Sequence, residues 1–278
     1  MSNWTACIVL TKDNPLDLES TLLSISKLNF SEKLSVHVIE SWSDENAFKK
    51  VFNGSLMNFD RTDFEVTSYR IWPSSGIFYS MNEALKIIES SYPNITELLF
   101  MNSGDCFACK DSLSELSQYK QAIQEKMGTL FPAVFGRAKI LASPSLSWFM
   151  PKEGLKTPTQ WLKHFDPNHQ AVLFDAAWSF KNHYDIENKY YADRKVMRDA
   201  LRGNEEHAFA DVLVSQFNLL GHTSRVPTWR EFRQKANEPD RGFGSKFNEF
   251  MKFLIPRRFS KFYPYVMYCR SKLISTFC

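Results

Sequence analysis

Apolar and polar positions along this chain alternate between a strand-like and a helix-like period. Residues 6–10 form a short continuous apolar run. A polar turn, Thr11-Lys12-Asp13-Asn14-Pro15, follows, and then Leu16, Leu18, Leu22, Leu23 and Ile25 recur at near-helical spacing. This pattern predicts strand, turn and helix, with Pro15 suited to a first helical position. Residues 34–39 alternate and contain Val36, Val38 and Ile39, a second strand ending in Glu40-Ser41-Trp42-Ser43-Asp44. Ser43 or Asp44 is placed to cap a helix running through Phe48, Val51 and Phe52. Residues 64–69 alternate again, and Ile77, Met81, Leu85 and Ile88 predict a helix from near Phe78 to Ser90. The run Leu98-Leu99-Phe100-Met101, bounded by Thr96-Glu97 and Ser103-Gly104, reads as a strand covered on both faces. Strands alternating with helices over the first hundred residues imply right-handed crossovers and a mostly parallel sheet, an α/β fold.

The second half is less regular. Residues 113–127 read as a helix, and residues 130–135 and 138–141 read as two strands flanking Gly136. The proline-containing stretch 143–158 reads as a loop that covers a site. Residues 170–174 are a candidate strand, 191–201 a helix, and 212–220 fits either element. There is no internal repeat and no low-complexity segment.

With 278 residues, 44% hydrophobic and 23% charged, the chain buries a sizeable core and is not globally disordered. Its net charge of +3 is too mild to indicate a nucleic-acid partner. The excess is concentrated at the C-terminal end, where Lys246, Lys252, Arg257, Arg258, Lys261, Arg270 and Lys272 face the single acid Glu249. Interleaved Phe247, Phe250, Phe253, Phe259, Phe262 and Tyr263 make this an amphipathic helical extension, expected over 227–278 behind a main domain at 1–226. Such a segment suits an anionic membrane surface, or else a helix packed back on the domain or a dimer contact. No apolar run reaches the roughly 18 residues of a membrane span, and no signal peptide is read at the start. Five scattered cysteines suit a reducing compartment, and the lone Cys106-Phe107-Ala108-Cys109 lacks the second pair of a zinc site.

The chemistry centres on Asn102-Ser103-Gly104-Asp105, where a buried strand stops in a small polar turn ending in a carboxylate. Ligands of open α/β sheets bind beyond the carboxyl ends of strands. A carboxylate there suits a divalent cation, Mn²⁺ or Mg²⁺, that in turn holds a diphosphate. The plainer alternative is that Asp105 closes a turn or caps the helix beginning near Lys110.

Five short motifs in order sharpen this picture. Gly76-Ile77-Phe78-Tyr79-Ser80-Met81-Asn82, the segment from Phe100 to Asp105, His169-Gln170, Ala192-Asp193 and, loosely, Gly221-His222-Thr223-Ser224 together resemble the family-2 glycosyltransferases of the GT-A fold. The resemblance is to the bacterial branch that builds capsule, exopolysaccharide and O-antigen, and covers roughly residues 5–225. Tyr79 stands where that family has an aspartate, Ser74-Ser75 replace a common acid, and the acid pair after strand two is reduced to Glu40-Ser41.

The resemblance implies a Rossmann-like GT-A domain and an inverting transfer of sugar from a nucleotide-diphosphate sugar to a saccharide or lipid-linked acceptor. The setting implied is cell-surface polysaccharide synthesis, cytoplasmic and peripheral on the inner face of the membrane. It assigns Asp105 to the metal, with Asn102 as a weaker oxygen donor. Thr11, Asp13, Glu40, Ser75, Gly76, Asn82, Asn102, Ser103 and Gln170 fall to the donor, and Asp193 becomes the catalytic base. His169 would touch diphosphate or acceptor. Plainer alternatives stay open: Glu40 as an ordinary strand end, His169 as a packed histidine before Ala171, Val172 and Leu173, Asp193 as a solvated acid beside Arg194 or Lys195, and Asn82 as helix packing. Homo-oligomerisation also stays open, as does a catalytically silent GT-A-like module that binds a glycan or scaffolds an assembly.

Overall fold

The computed structural model describes residues 4–30, 32–57, 59, 64–71, 76–143, 146–151, 167–188, 192–203, 207–218, 265 and 268. The first half follows the predicted alternation: β1 (Trp4–Thr11), α1 (Pro15–Ser26), β2 (Lys33–Glu40), α2 (Glu45–Leu56), β3 (Phe64–Arg70), α3 (Ile77–Ser91) and β4 (Glu97–Asn102). Local chemistry starts the first two helices. The Asn14 side chain accepts from the Asp17 N–H with Pro15 in the first turn, and Asp44 accepts from the Asn46 and Ala47 N–H groups. The second half contains β5 (Cys106–Phe107), α4 (Ser112–Met127), β6 (Ala133–Ser143), β7 (Leu146–Met150), a 3-10 turn (His169–Ala171), β8 (Val172–Asp175), α5 (Ala176–Lys181), α6 (Ala192–Leu201) and β9 (Phe209–Asn218).

All nine of these strands belong to one sheet, in the order β3-β2-β1-β4-β8-β6-β9-β5, with β7 hairpinned onto β6. β3, β2, β1 and β4 are mutually parallel, β8 runs antiparallel to both β4 and β6, and β9 is parallel to β6. Strand alternation deals successive side chains to two cores. Cys7, Val9, Leu99 and Met101 join one layer with Leu18, Leu22 and Ile25 of α1, Phe48 of α2 and Leu113 of α4. Ala6, Ile8, Leu98 and Phe100 join the other with Phe78, Met81, Leu85 and Ile88 of α3 and Val196 and Met197 of α6. The chain steps from β1 outward through β2 to β3, then returns to place β4 on the other side of β1. That reversal is the switch point at which α/β sheets leave a crevice.

Three expectations change. Residues 130–135 and 138–141 are not two strands: β6 runs unbroken through Gly136. A Cβ at Gly136 would lie 2.4 Å from Val214 Cγ2 and 2.9 Å from the Val212 carbonyl oxygen, so the glycine marks a close approach of β9, where the register shifts, rather than a break. Within the stretch read as loop, Leu146–Met150 is a strand, its Leu146 and Trp148 buried on the core side. The 170–174 strand begins later, at Val172, after the 3-10 turn. Of the ambiguous 212–220 segment, residues 212–218 are strand, the end of β9, and 219–220 lie outside the described residues. β5 and α5 are too short for periodicity to reveal. The Gly221–Ser224 motif, the boundary at 226/227, Ser75 and nearly all of the basic extension lie outside the described residues. No helix among those described is long and apolar enough to cross a membrane.

β4 opens on a buried ion pair. Glu97, 2% exposed, has Oε1 3.2 Å from Lys120 Nζ, while its Oε2 accepts from the Thr5 hydroxyl at 3.1 Å and the Ser117 hydroxyl at 3.0 Å. Lys120 is equally buried, so this cluster joins β1, β4 and α4 with both charges out of water. Removing one partner strands the other. Lys120→Met is expected to lower unfolding stability by about 3–5 kcal/mol in denaturant titration, and Lys120→Met combined with Glu97→Gln to recover most of it. A single-mutant loss under about 1 kcal/mol would show that the pair is not structural.

Candidate active site

The carboxyl ends of β1, β2 and β4 stop at one level: Thr11 is paired with Glu40, and Leu10 with Asn102. The loops leaving them form two connected groups of polar contacts.

The first group surrounds the turn after β2. Glu40 is buried, and its Oε2 accepts the Trp42 N–H at 2.8 Å, while Arg70 Nε at the end of β3 lies 3.6 Å from its Oε1. The buried Trp42 ring donates its indole N–H to Thr11 Oγ1 at 3.0 Å. Asp13, in the left-handed region at φ 46°, accepts from the Ser43 N–H at 2.6 Å and from the Ser43 hydroxyl at 3.0 Å. Thr11, Asp13 and Glu40 thus meet on the Trp42-Ser43 turn, which locks the β1 and β2 loops together. An aspartate tolerates positive φ better than most residues, and these two bonds offset the strain.

The second group holds the turn after β4. Ser103 N–H donates to the Leu10 carbonyl at 2.8 Å, and Gly104 N–H reaches the Asp17 carbonyl at 3.1 Å and Thr21 Oγ1 at 2.9 Å. Thr21 in turn donates to the Asp105 carbonyl at 2.8 Å. Gly104 has φ +97°, and a Cβ there would sit 3.2 Å from Asp17 Cγ, so glycine is required twice over. From the opposite side, Asn218 at the end of β9 donates its N–H to Asp105 Oδ1 at 3.3 Å and its amide to the Gly104 carbonyl at 3.0 Å.

Asp105 is therefore 3% exposed and fixed, yet only half satisfied. Its Oδ2, like Asn102 Oδ1, is buried with no hydrogen-bond partner among the described residues. Burial pushes the Asp105 carboxyl up to about 7, with a smaller upward push from Asp17, against downward pulls from its hydrogen bonds to Asn218 and Asn102. Asp105 neither caps α4, which begins at Ser112 with Asp111 before it, nor pairs with a cation among the described side chains. No group of three or more His, Cys, Asp or Glu side chains that could hold a metal occurs among the described residues. A single carboxylate beside an amide oxygen can contribute at most part of a cation's shell, the remainder being water or phosphate oxygens.

Three other expected site residues gather around a residue that motif reasoning missed, Tyr184. His169, in the turn packed on the end of β4, places Nε2 2.8 Å from the Tyr184 hydroxyl and lies against Phe100 and Phe174. Burial pushes the imidazole down to about 3, so it is neutral at physiological pH, and its buried Nδ1 has no partner among the described residues. The ring is packed among aromatic side chains, as the packed-histidine alternative expects. Asn82 spends its amide on the Tyr184 backbone, donating to its carbonyl and accepting from its N–H, both at 2.8 Å. Asp193 opens α6, accepts from the Arg194 N–H at 2.8 Å, and lies near enough to Tyr184 to raise its hydroxyl pKa together with burial. Gln170 is buried beside His169, and Gly76 precedes α3 with φ +81°. Trp42, Asp17, Thr21 and Asn218 were also missed, because each acts through a contact that local pattern does not encode.

No protein-family model matches this sequence, and no curated protein sequence matches it. Solved structures do match. S. aureus TarS residues 1–349 superimposes with a TM-score of 0.55 at 18% identity, covering 92% of this chain and 72% of that one. A longer TarS structure gives 0.56 at 16% identity, and this chain spans 43% of it. The mannosyltransferase PcManGT from Pyrobaculum calidifontis, in complex with GDP-Man and Mn²⁺, gives 0.53 at 10% identity over 98% of this chain and 78% of that one. The fold is that of the GT-A glycosyltransferases.

A carboxylate held in place for a ligand costs stability in the ligand's absence. Asp105→Asn keeps an acceptor for the Asn218 N–H while removing the buried charge. Its melting temperature near pH 8 is expected to equal or exceed that of the parent in calorimetry, and a fall of several degrees would make Asp105 a structural acid instead.

Proposed function

We propose that this protein is a glycosyltransferase that moves a sugar from a nucleotide-diphosphate sugar to a saccharide or lipid-linked acceptor with inversion, in the assembly of a cell-surface polysaccharide. The observation that carries the reading is the buried Asp105 Oδ2 just past the carboxyl end of β4, which has no hydrogen-bond partner among the described residues, in a fold shared with a mannosyltransferase that was crystallised with GDP-Man and Mn²⁺. Asn102 Oδ1 and His169 Nδ1, at the end of β4 and in the turn beside it, are likewise buried without a partner among the described residues. A cation, water or a ligand hydroxyl satisfies the two oxygens.

In this reading Asp105 and Asn102 hold Mn²⁺ or Mg²⁺, which when bound neutralises charge on the departing diphosphate. Thr11, Glu40 and Trp42 wall the nucleoside pocket, and the Asp13–Ser43 bonds set the spacing of its two loops before the donor arrives. Ser103 and Gly104 keep the rim turn rigid, so little reorganisation accompanies binding. Asp193 takes the proton from the acceptor hydroxyl as it attacks the anomeric carbon. Single displacement by one base inverts the configuration there.

Titration calorimetry with UDP, GDP and dTDP, each with and without Mn²⁺, tests the reading. At least one nucleotide is expected to bind only with metal, and Asp105→Asn to abolish that binding. Absence of binding by any nucleotide, with metal present, would favour the silent glycan-binding module and overturn the transferase.

A further inference from the structure

Between Lys181 and Asn188 every described residue is exposed or half-exposed except Tyr184, which is only 4% exposed. Three kinds of contact insert it. The Asn82 side chain clasps both backbone polar groups, a two-bond rung between positions 102 residues apart in sequence. Its ring stacks on Phe78 at 5.9 Å and stands edge-on to Phe100 at 5.7 Å. Its hydroxyl makes the 2.8 Å contact to Nε2 of His169. The ring and the clasp already account for packing, so the hydroxyl is the part that packing leaves unexplained.

A neutral imidazole carries its proton on one nitrogen, and the partner of one nitrogen fixes the character of the other. The Tyr184 hydroxyl is the sole hydrogen-bond partner of the His169 ring among the described residues. Resting on the transferase reading above, we propose that Tyr184 is a positioning residue: its phenol, a stronger donor than a neutral imidazole N–H, donates to Nε2 and holds the His169 ring proton on Nδ1. The buried Nδ1 beside the end of β4 is thereby kept a donor. Tyr184 also lies near Asp193, so the loop carrying it ties the histidine, α3 and the start of α6 into one unit.

Tyr184→Phe keeps the ring and the backbone clasp and removes only the hydroxyl. In long-range ¹H–¹⁵N spectra of histidine-labelled protein, the parent is expected to show His169 as one neutral tautomer and the variant as a mixture. With an active donor, kcat is expected to fall about tenfold at unchanged donor KM, with a melting temperature a few degrees lower because Nε2 loses its partner. An Asn82→Ala variant, which loosens the clasp, is expected to lower the melting temperature yet leave the tautomer single. The same tautomer in the parent and Tyr184→Phe, or an unaltered kcat, overturns the proposal. Should the parent turn over no donor at all, the transferase reading fails, and the spectra alone decide the role of Tyr184.

Discussion

Everything at the candidate site depends on how the turn Ser103-Gly104-Asp105 is anchored. Backbone N–H groups of this turn reach the Leu10 carbonyl of β1 and the Asp17 carbonyl and Thr21 hydroxyl of α1, and Asn218 closes it from β9. These bonds fix the carboxylate in a place that water scarcely reaches, and Oδ2 has no hydrogen-bond partner among the described residues. Glu97 at the other end of the same strand is the control. It is as deeply buried, but a lysine and two hydroxyls satisfy it. Glu40, on the neighbouring strand, is likewise held by the Trp42 N–H beside Arg70. Among the described residues, two of the three buried carboxylates have their charge paired, and the third, at the sheet's switch point, has one oxygen without a partner.

Pre-organisation is the second theme. The Asp13–Ser43 bonds, the Thr11–Trp42 contact and the Tyr184 clasp each join segments far apart in sequence. The loops after β1 and β2 are thereby fixed relative to one another, and the loop after α5 is fixed to α3, by side chains that need no ligand to order them. Binding energy is then available to the reacting groups rather than consumed in ordering loops.

Much of the first half was legible in sequence because its strands are covered on both faces. Residues 6–10 and Leu98–Met101 are continuous apolar runs whose alternate members feed two cores, and α3 shows its buried face directly. The second half was harder because its pairings are long-range. Gly136 looks like a break until β9 is seen pressing on it, and β7 hides among prolines. At the candidate site, motif order singled out Asp105, Asn102 and Glu40 because they lie at or just beyond strand ends. Asn82 was found on the right helix, but its partner, the Tyr184 backbone, was beyond reach of pattern. Tyr184 itself sits among polar residues and looks like any loop tyrosine, and Asn218 reaches Asp105 across 113 positions.

In the proposed reading Asp105 Oδ2 takes a divalent cation together with a diphosphate. A crystal structure grown with Mg²⁺ and a nucleoside diphosphate decides this: the ion is expected about 2.1 Å from Asp105 Oδ2, with phosphate oxygens and water completing its shell. A nucleotide bound in the crevice with no ion at Asp105, or an ion held by other side chains, would refute that reading.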